Sequence, residues 1–155
     1  MKYLTQSRMA GIAVTLYTGW ISRDVVAAWI HSPFDRMGFP AFLVWFAPVV
    51  LLQWFPRVRQ RNGFDAGFLI GLGLSLAGVA LNLNLIKYAG LAFVISGFLP
   101  RDVALMVWLP AALSWMPVLG WALSSAGTLG VGLLRLVLAV GSALFLSIRI
   151  VTHEN

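Results

Sequence analysis

Long apolar stretches alternate with short polar or charged segments along the whole chain. A membrane-spanning helix needs about 20 mainly apolar residues, so this alternation predicts an all-α, polytopic integral membrane helix bundle with about six transmembrane helices. The predicted spans are 4–21, 38–55, 64–85, 88–99, 103–123 and 129–151. No linker, repeat or low-complexity segment interrupts the pattern, and we therefore expect a single transmembrane domain over residues 1–155.

The first stretch also resembles the apolar core of a signal peptide. No small-x-small cleavage site precedes Arg23, and further spans follow. We therefore expect an uncleaved first helix that begins near Leu4.

Residues 22–32 follow a different pattern. Val25, Val26, Trp29 and Ile30 fall on one helical face, and the charged residues of the segment lie elsewhere. This spacing predicts a short helix in the membrane interface with its tryptophan at headgroup depth, ended by the proline that follows.

The fifth predicted span contains Pro110 and Pro117. Proline lacks the N–H that a helix interior needs, so we expect a kink or a break in this span.

Composition supports a membrane location. The chain is 60% hydrophobic and 10% charged, whereas soluble domains carry roughly 25% charged residues. The absence of cysteine excludes disulfides, thiolate metal sites and a cysteine nucleophile.

The net charge of +6 is spread between the apolar stretches and forms no nucleic-acid-binding patch. With the N-terminus inside, the basic residues gather on the cytoplasmic side, which predicts both termini in the cytoplasm of a bacterial-type inner membrane. The cytoplasmic set is Lys2, Arg8, Arg57, Arg59, Arg61, Arg101 and Arg149, and the outer set is Arg23, Arg36 and Lys87.

Arg135 is the most informative polar residue, since it lies about 9 Å inside the sixth span at 1.5 Å per residue. Ala139, Ala143 and Ser147 follow it at four-residue intervals and predict a helix-packing seam. Two interpretations stay open. Arg135 contacts an anion or substrate in a polar pocket near the outer face, or it snorkels or donates to carbonyls freed by the proline kink.

Four further residues form a candidate outer-face polar layer with Arg135: Asn82, Asn84, Asp24 and Asp35. The alternative for the two asparagines is that they cap a helix at the interface.

Gly67, Gly71 and Ser75 recur every four residues in the third span. The sequence lacks the ending of a phosphate-binding loop, so this spacing predicts a second close helix-packing seam.

No catalytic or metal-binding constellation emerges from the remaining polar residues. His31 and His153 are expected on opposite sides of the membrane, so they form no metal or haem site. We predict no cofactor; a bound lipid is compatible with the sequence.

Three stretches resemble the N-terminal part of the exosortase/archaeosortase family of membrane transpeptidases. They are Trp29-x-x-x-Pro33-Phe34 leading to Gly38-Phe39, the basic turn at Arg57, Arg59 and Arg61, and Leu109-Pro110 with Trp115-Met116-Pro117. The resemblance covers residues 20–125 and implies kinship with proteins that process C-terminal sorting signals of exported proteins. Members carry a histidine where this chain has Met37, and their catalytic cysteine lies beyond the similar region. The resemblance therefore implies a shortened relative without transpeptidase chemistry.

These features favour a non-catalytic membrane subunit that packs against larger partner proteins in the bilayer. Two alternatives stay open: an exosortase-like sorting factor that binds exported substrates at the outer face, and a small transporter or lipid-binding protein.

Overall fold

The computed structural model describes residues 2–54, 66–99 and 103–152. Within them all regular secondary structure is helical and no strand occurs, which confirms the all-α prediction. The α-helices are α1 (Lys2–Ile21), α2 (Asp24–His31), α3 (Gly38–Trp54), α4 (Ala66–Ala80), α5 (Asn84–Ser96), α6 (Val103–Trp108), α7 (Pro117–Ala122) and α8 (Gly127–Thr152). The predicted basic turn at Arg57, Arg59 and Arg61 lies outside the described residues.

Two compact units make up the fold. The first contains α1, α4 and α5, and the second contains α2, α3, α6, α7 and α8. The single domain over residues 1–155 stays a prediction.

Helix lengths support fewer membrane crossings than the sequence pattern predicts. Among the described residues, one stretch, Ser124–Arg149, is long and apolar enough to cross a bilayer, and the other apolar helical stretches are shorter than 18 residues. The number of six spans is therefore not supported by helix length.

In the first unit, α4 and α5 form a tight antiparallel hairpin. The Leu83 N–H donates to the Gly78 carbonyl at 2.8 Å, and the Asn82 N–H donates to the Val79 carbonyl at 3.1 Å. Asn82 has φ 53°, and these paired bonds around a left-handed residue form a Schellman motif that ends α4. The predicted span 64–85 was therefore too long at its C-terminal end, since α5 already begins at Asn84.

The Gly67–Gly71–Ser75 stripe faces α5. A Cβ on Gly71 would lie 2.5 Å from Cγ2 of Val94 and 2.6 Å from the Gly90 carbonyl oxygen. The two backbones approach so closely because glycine has no side chain to separate them. The seam predicted from sequence thus has its partner within the same chain.

We expect Gly71→Ala to lower the free energy of unfolding by about 1–3 kcal/mol, because the added methyl group overpacks the α4–α5 contact. Gly73 is the matched control, since a Cβ there meets no atom within 4 Å. Gly73→Ala should stabilise the protein by up to about 1 kcal/mol through helix propensity. Thermal unfolding of both variants in detergent tests the pair, and equal shifts would contradict a close contact at position 71.

The second unit is built around α3 and α8, which pack along their lengths. Ala139 and Ala143 are buried in this unit, and Ser147 is half-buried. The small-residue stripe that follows Arg135 is therefore a packing face of α8.

The predicted fifth span is broken in the structure. Helix α6 ends at Trp108, a 3-10 helix covers Pro110–Ser114, and α7 begins at Pro117. Each proline occupies a first helical position, where its missing N–H removes no helical hydrogen bond.

Helix α2 lies within the predicted interfacial segment 22–32, and its tryptophan differs from the prediction. Val25 and Trp29 are buried within the unit, whereas Val26 and Ile30 are exposed. The Trp29 side chain is buried because its indole N–H donates to a backbone acceptor inside the unit, the carbonyl of Trp115.

Candidate functional site

The breaks in residues 103–122 leave backbone carbonyls without helical donors. The N–H of Ala112, four residues after Trp108, donates to Leu109 instead, at 3.0 Å. Pro117 has no N–H at all. In a bilayer core, where water is scarce, each unsatisfied carbonyl would cost several kcal/mol.

Two tryptophans from other helices supply donors to these carbonyls. Trp45 Nε1, on α3, donates to the Trp108 carbonyl at 2.9 Å. Trp29 Nε1, on α2, donates to the Trp115 carbonyl at 2.9 Å. Indole N–H groups thus replace the missing helical donors at two points of the broken segment.

Arg135 supplies the third donor, from α8. Its Nη1 donates to the Ser114 carbonyl at 2.7 Å and to the Met116 carbonyl at 3.1 Å. The side chain is fully buried. Of the roles considered for Arg135, the structure therefore has it donating to carbonyls at the proline break, where the Met116 carbonyl also accepts the Leu119 N–H at 3.3 Å.

Asp35 is the counter-ion of Arg135. Its Oδ1 accepts a hydrogen bond from Arg135 Nη2, and its side chain is 8% exposed. The turn before α3 fixes its backbone, since the Gly38 N–H donates to the Asp35 carbonyl at 2.7 Å. A buried charge is tolerated only with such a partner, and losing one partner costs more than the pair contributes.

Gly120 on α7 has no side chain, and this allows the Asp35–Arg135 ion pair to lie directly against the backbone of α7. A Cβ at this position would lie 2.5 Å from Asp35 Oδ1 and 3.0 Å from Arg135 Nη2. Any larger residue there would displace the carboxylate.

An aromatic cluster surrounds the polar groups. The rings of Trp45 and Trp108 stack with centroids 3.9 Å apart and planes 11° apart. Trp108 Nε1 also donates to the Trp45 carbonyl at 2.8 Å, so the two residues are bonded reciprocally. Trp115 meets Phe42 edge to face at 5.4 Å. This packing excludes solvent from the hydrogen bonds of the broken segment.

The five residues of the predicted polar layer separate into two groups. Asp35 and Arg135 meet in the second unit, where Asp24 is the first residue of α2. Asn82 and Asn84 belong to the first unit, where both are exposed at the α4–α5 turn. Asn82 ends α4, which corresponds to the capping alternative.

Sequence reasoning missed Trp45 as a site residue. One signal for it was available: Trp45 lies in the middle of an apolar span, where its indole N–H needs an acceptor that hydrocarbon cannot supply. Which carbonyl accepts it was not readable from the sequence.

Two polar atoms of the cluster have no hydrogen-bond partner among the described residues. They are Arg135 Nε and Ser114 Oγ, on two side chains that are fully buried. The part of the chain that the structure describes holds no group of three histidine, cysteine or acidic residues placed to bind a metal ion. The chemistry that these residues offer is therefore that of a guanidinium whose Nε–H is unused.

Comparison of the chain with protein-family models, curated proteins and solved structures finds no significant match.

Proposed function

We propose that this chain is an integral membrane helix bundle that serves as a non-catalytic subunit and packs against larger partner proteins. Its location is a bacterial-type inner membrane with both termini in the cytoplasm. About six spans and one interfacial helix cross or line that membrane, as the hydropathy pattern predicts.

The uncovered face of α8 carries this proposal. Only 39% of the most apolar stretch of this helix is buried within the protein. The opposite side presents a continuous row of large apolar side chains, of which Leu129 is 88% exposed. The row consists of Leu129, Leu133, Val137, Val140, Leu144 and Ile148. A surface of this kind needs lipid or another apolar helix against it.

The broken segment is compatible with a membrane environment. Irregular backbone at membrane depth is stable only where protein covers it and satisfies its polar groups. Two indoles and one guanidinium meet this requirement along residues 108–116.

Gentle detergent extraction from native membranes, followed by sizing and mass spectrometry, tests the proposal. We expect a defined complex in which this chain co-migrates with larger membrane proteins in fixed ratio. Stable recovery as a lone monomer would contradict it.

Substituting an uncovered glycine of α8 tests where the partner binds. Gly141 is exposed, and a Cβ there meets no atom within 4 Å, so Gly141→Phe leaves this chain's own packing intact. We expect Gly141→Phe to weaken association of the complex roughly tenfold or more in Kd, which corresponds to the loss of about 1.4 kcal/mol of association energy.

Gly73→Phe is the matched control, at an equally open position on α4. It should leave the complex intact. Unchanged recovery with Gly141→Phe would exclude this face of α8 as the contact.

The resemblance to exosortases supports a second proposal, a sorting factor that binds exported substrates without cleaving them. The carboxylate–guanidinium pair favours it only if substrate reaches Arg135. A binding assay in which Arg135→Ala and Asp35→Ala have no effect would exclude this version. For a small transporter or lipid-binding protein, the broken helix is the supporting feature.

A further inference from the structure

We propose that Arg135 forms a binding site for a carboxylate ligand. The Asp35 side chain occupies this site in the unliganded protein and is displaced when the ligand binds. The inference goes beyond the proposed function, because it concerns a ligand of this chain alone and stands whether or not a partner protein binds α8.

The hydrogen bonds of Arg135 divide its guanidinium into a fixed part and an incompletely used part. Nη1 is held by the carbonyls of Ser114 and Met116 at 2.7 and 3.1 Å. These bonds fix the plane of the group without neutralising it. The two bonds of Nη1 therefore also fix the direction of the remaining edge, which is formed by Nε and Nη2. The orientation of this edge does not depend on Asp35.

The Nε–Nη2 edge is the edge that binds carboxylates through two parallel hydrogen bonds. Asp35 pairs with only one of the two nitrogens of this edge. Its Oδ1 accepts a hydrogen bond from Nη2, whereas Nε has no hydrogen-bond partner among the described residues. Arg135 is fully buried, so the unused donor is also shielded from solvent. A free carboxylate with both oxygens on this edge would satisfy the donor that Asp35 leaves unpaired.

Access to the edge lies on the Asp35 side. The Asp35 side chain is 8% exposed, whereas that of Arg135 is not exposed. Asp35 sits in the turn 33–37 between α2 and α3, and its neighbour Arg36 is exposed. With the backbone of this turn held in place, rotation of the Asp35 side chain would move its carboxylate away from Arg135 Nη2.

The exchange conserves charge at the buried position. One carboxylate leaves the guanidinium and another arrives, so the site holds one positive and one negative charge before and after. A neutral ligand could not replace Asp35 without leaving Arg135 uncompensated. The ligand class is therefore a carboxylate small enough to fit beside Gly120, where even a Cβ would meet Asp35 Oδ1 at 2.5 Å.

Formate titration of the purified full chain in nanodiscs tests the site. The readouts are the thermal unfolding midpoint and the ¹³C line width of formate, with chloride at equal ionic strength as the reference. We expect a saturable effect of formate on the wild-type protein. Asp35→Asn removes the competing carboxylate and should lower the Kd for formate roughly tenfold or more.

Arg135→Lys keeps the charge and lacks the planar two-donor edge, so it should abolish formate binding. Arg149→Lys, at an exposed position of the same helix, is the matched control and should bind like wild type. If Arg135→Lys fails to fold, the wild-type and Asp35→Asn titrations still decide the question.

Three results would overturn the proposal. They are no saturable effect in either protein, binding to Asp35→Asn but not to wild type, and binding that persists in Arg135→Lys. The second result would make Asp35 a permanent structural partner. Nanodiscs of phosphatidylcholine and of phosphatidylglycerol separate a free carboxylate from an anionic lipid headgroup, because only phosphatidylglycerol carries a net negative charge and would compete with formate.

Discussion

Asp35→Ala is expected to lower the free energy of unfolding by about 3–5 kcal/mol, because it leaves Arg135 as a buried charge without a counter-ion. Arg135 is fully buried in the wild-type structure, and Asp35 is its charged partner there. The measurement is denaturation in mixed detergent micelles, followed by tryptophan fluorescence. A loss below about 0.5 kcal/mol, the range of ordinary surface substitutions, would show that the ion pair does not support the fold.

Removing both charges separates the two roles of Arg135. Asp35→Leu combined with Arg135→Met eliminates the charge problem, so the double variant should be more stable than Asp35→Ala. It should still be less stable than wild type, since the Ser114 carbonyl loses its donor, at about 1–3 kcal/mol for a buried unsatisfied group. Full recovery would mean that the carbonyl hydrogen bonds contribute nothing.

Trp45→Ala is expected to destabilise the protein by about 3–5 kcal/mol, the usual range for removing a buried aromatic side chain. Trp45 is fully buried, stacks on Trp108 at 3.9 Å and donates to the Trp108 carbonyl. The same unfolding assay applies. Trp121→Ala is the control, since Trp121 is 81% exposed, and it should change stability by no more than about 0.5 kcal/mol.

Phenylalanine variants of the stacked pair distinguish ring packing from hydrogen bonding. Trp45→Phe removes the donor to the Trp108 carbonyl, which lies at the end of α6. Trp108→Phe removes the donor to the Trp45 carbonyl, which lies inside α3, where Val49 carries the N–H four residues later. Trp45→Phe should therefore be the more destabilising of the two, by about 1–3 kcal/mol. Equal losses would show that packing alone holds the pair.

Helix boundaries were predictable where a local rule sets them. Gly38 was expected to begin a helix and does, and the breaks at Pro110 and Pro117 follow from the missing N–H of proline. The end of α4 was missed, because Asn82 adopts φ 53° and closes a Schellman motif before Leu85. Asparagine tolerates that conformation but does not require it, so the turn was not readable from the residue alone.

The candidate site was only partly predictable for a related reason. Arg135 was identifiable because a charge inside an apolar span needs a partner wherever it is. Its partner Asp35 was one of two acidic residues in the same predicted layer, and Asp35 and Arg135 are 100 residues apart in the chain. Trp45 and Trp108 are hydrogen-bonded to each other although they lie 63 residues apart in the chain. The spacing of apolar residues within a helix gives no information about contacts over that separation.

The sequence by itself determined the helical class and the positions at which the fifth apolar stretch stops being a helix. Both depend on interactions within a few residues: backbone hydrogen bonding, side-chain spacing and the ring of proline. Only the tertiary structure decided which donors satisfy the carbonyls released there, and that Asp35 rather than another acid neutralises Arg135. Those choices depend on which helices pack together, because a hydrogen bond or ion pair forms only at contact distance.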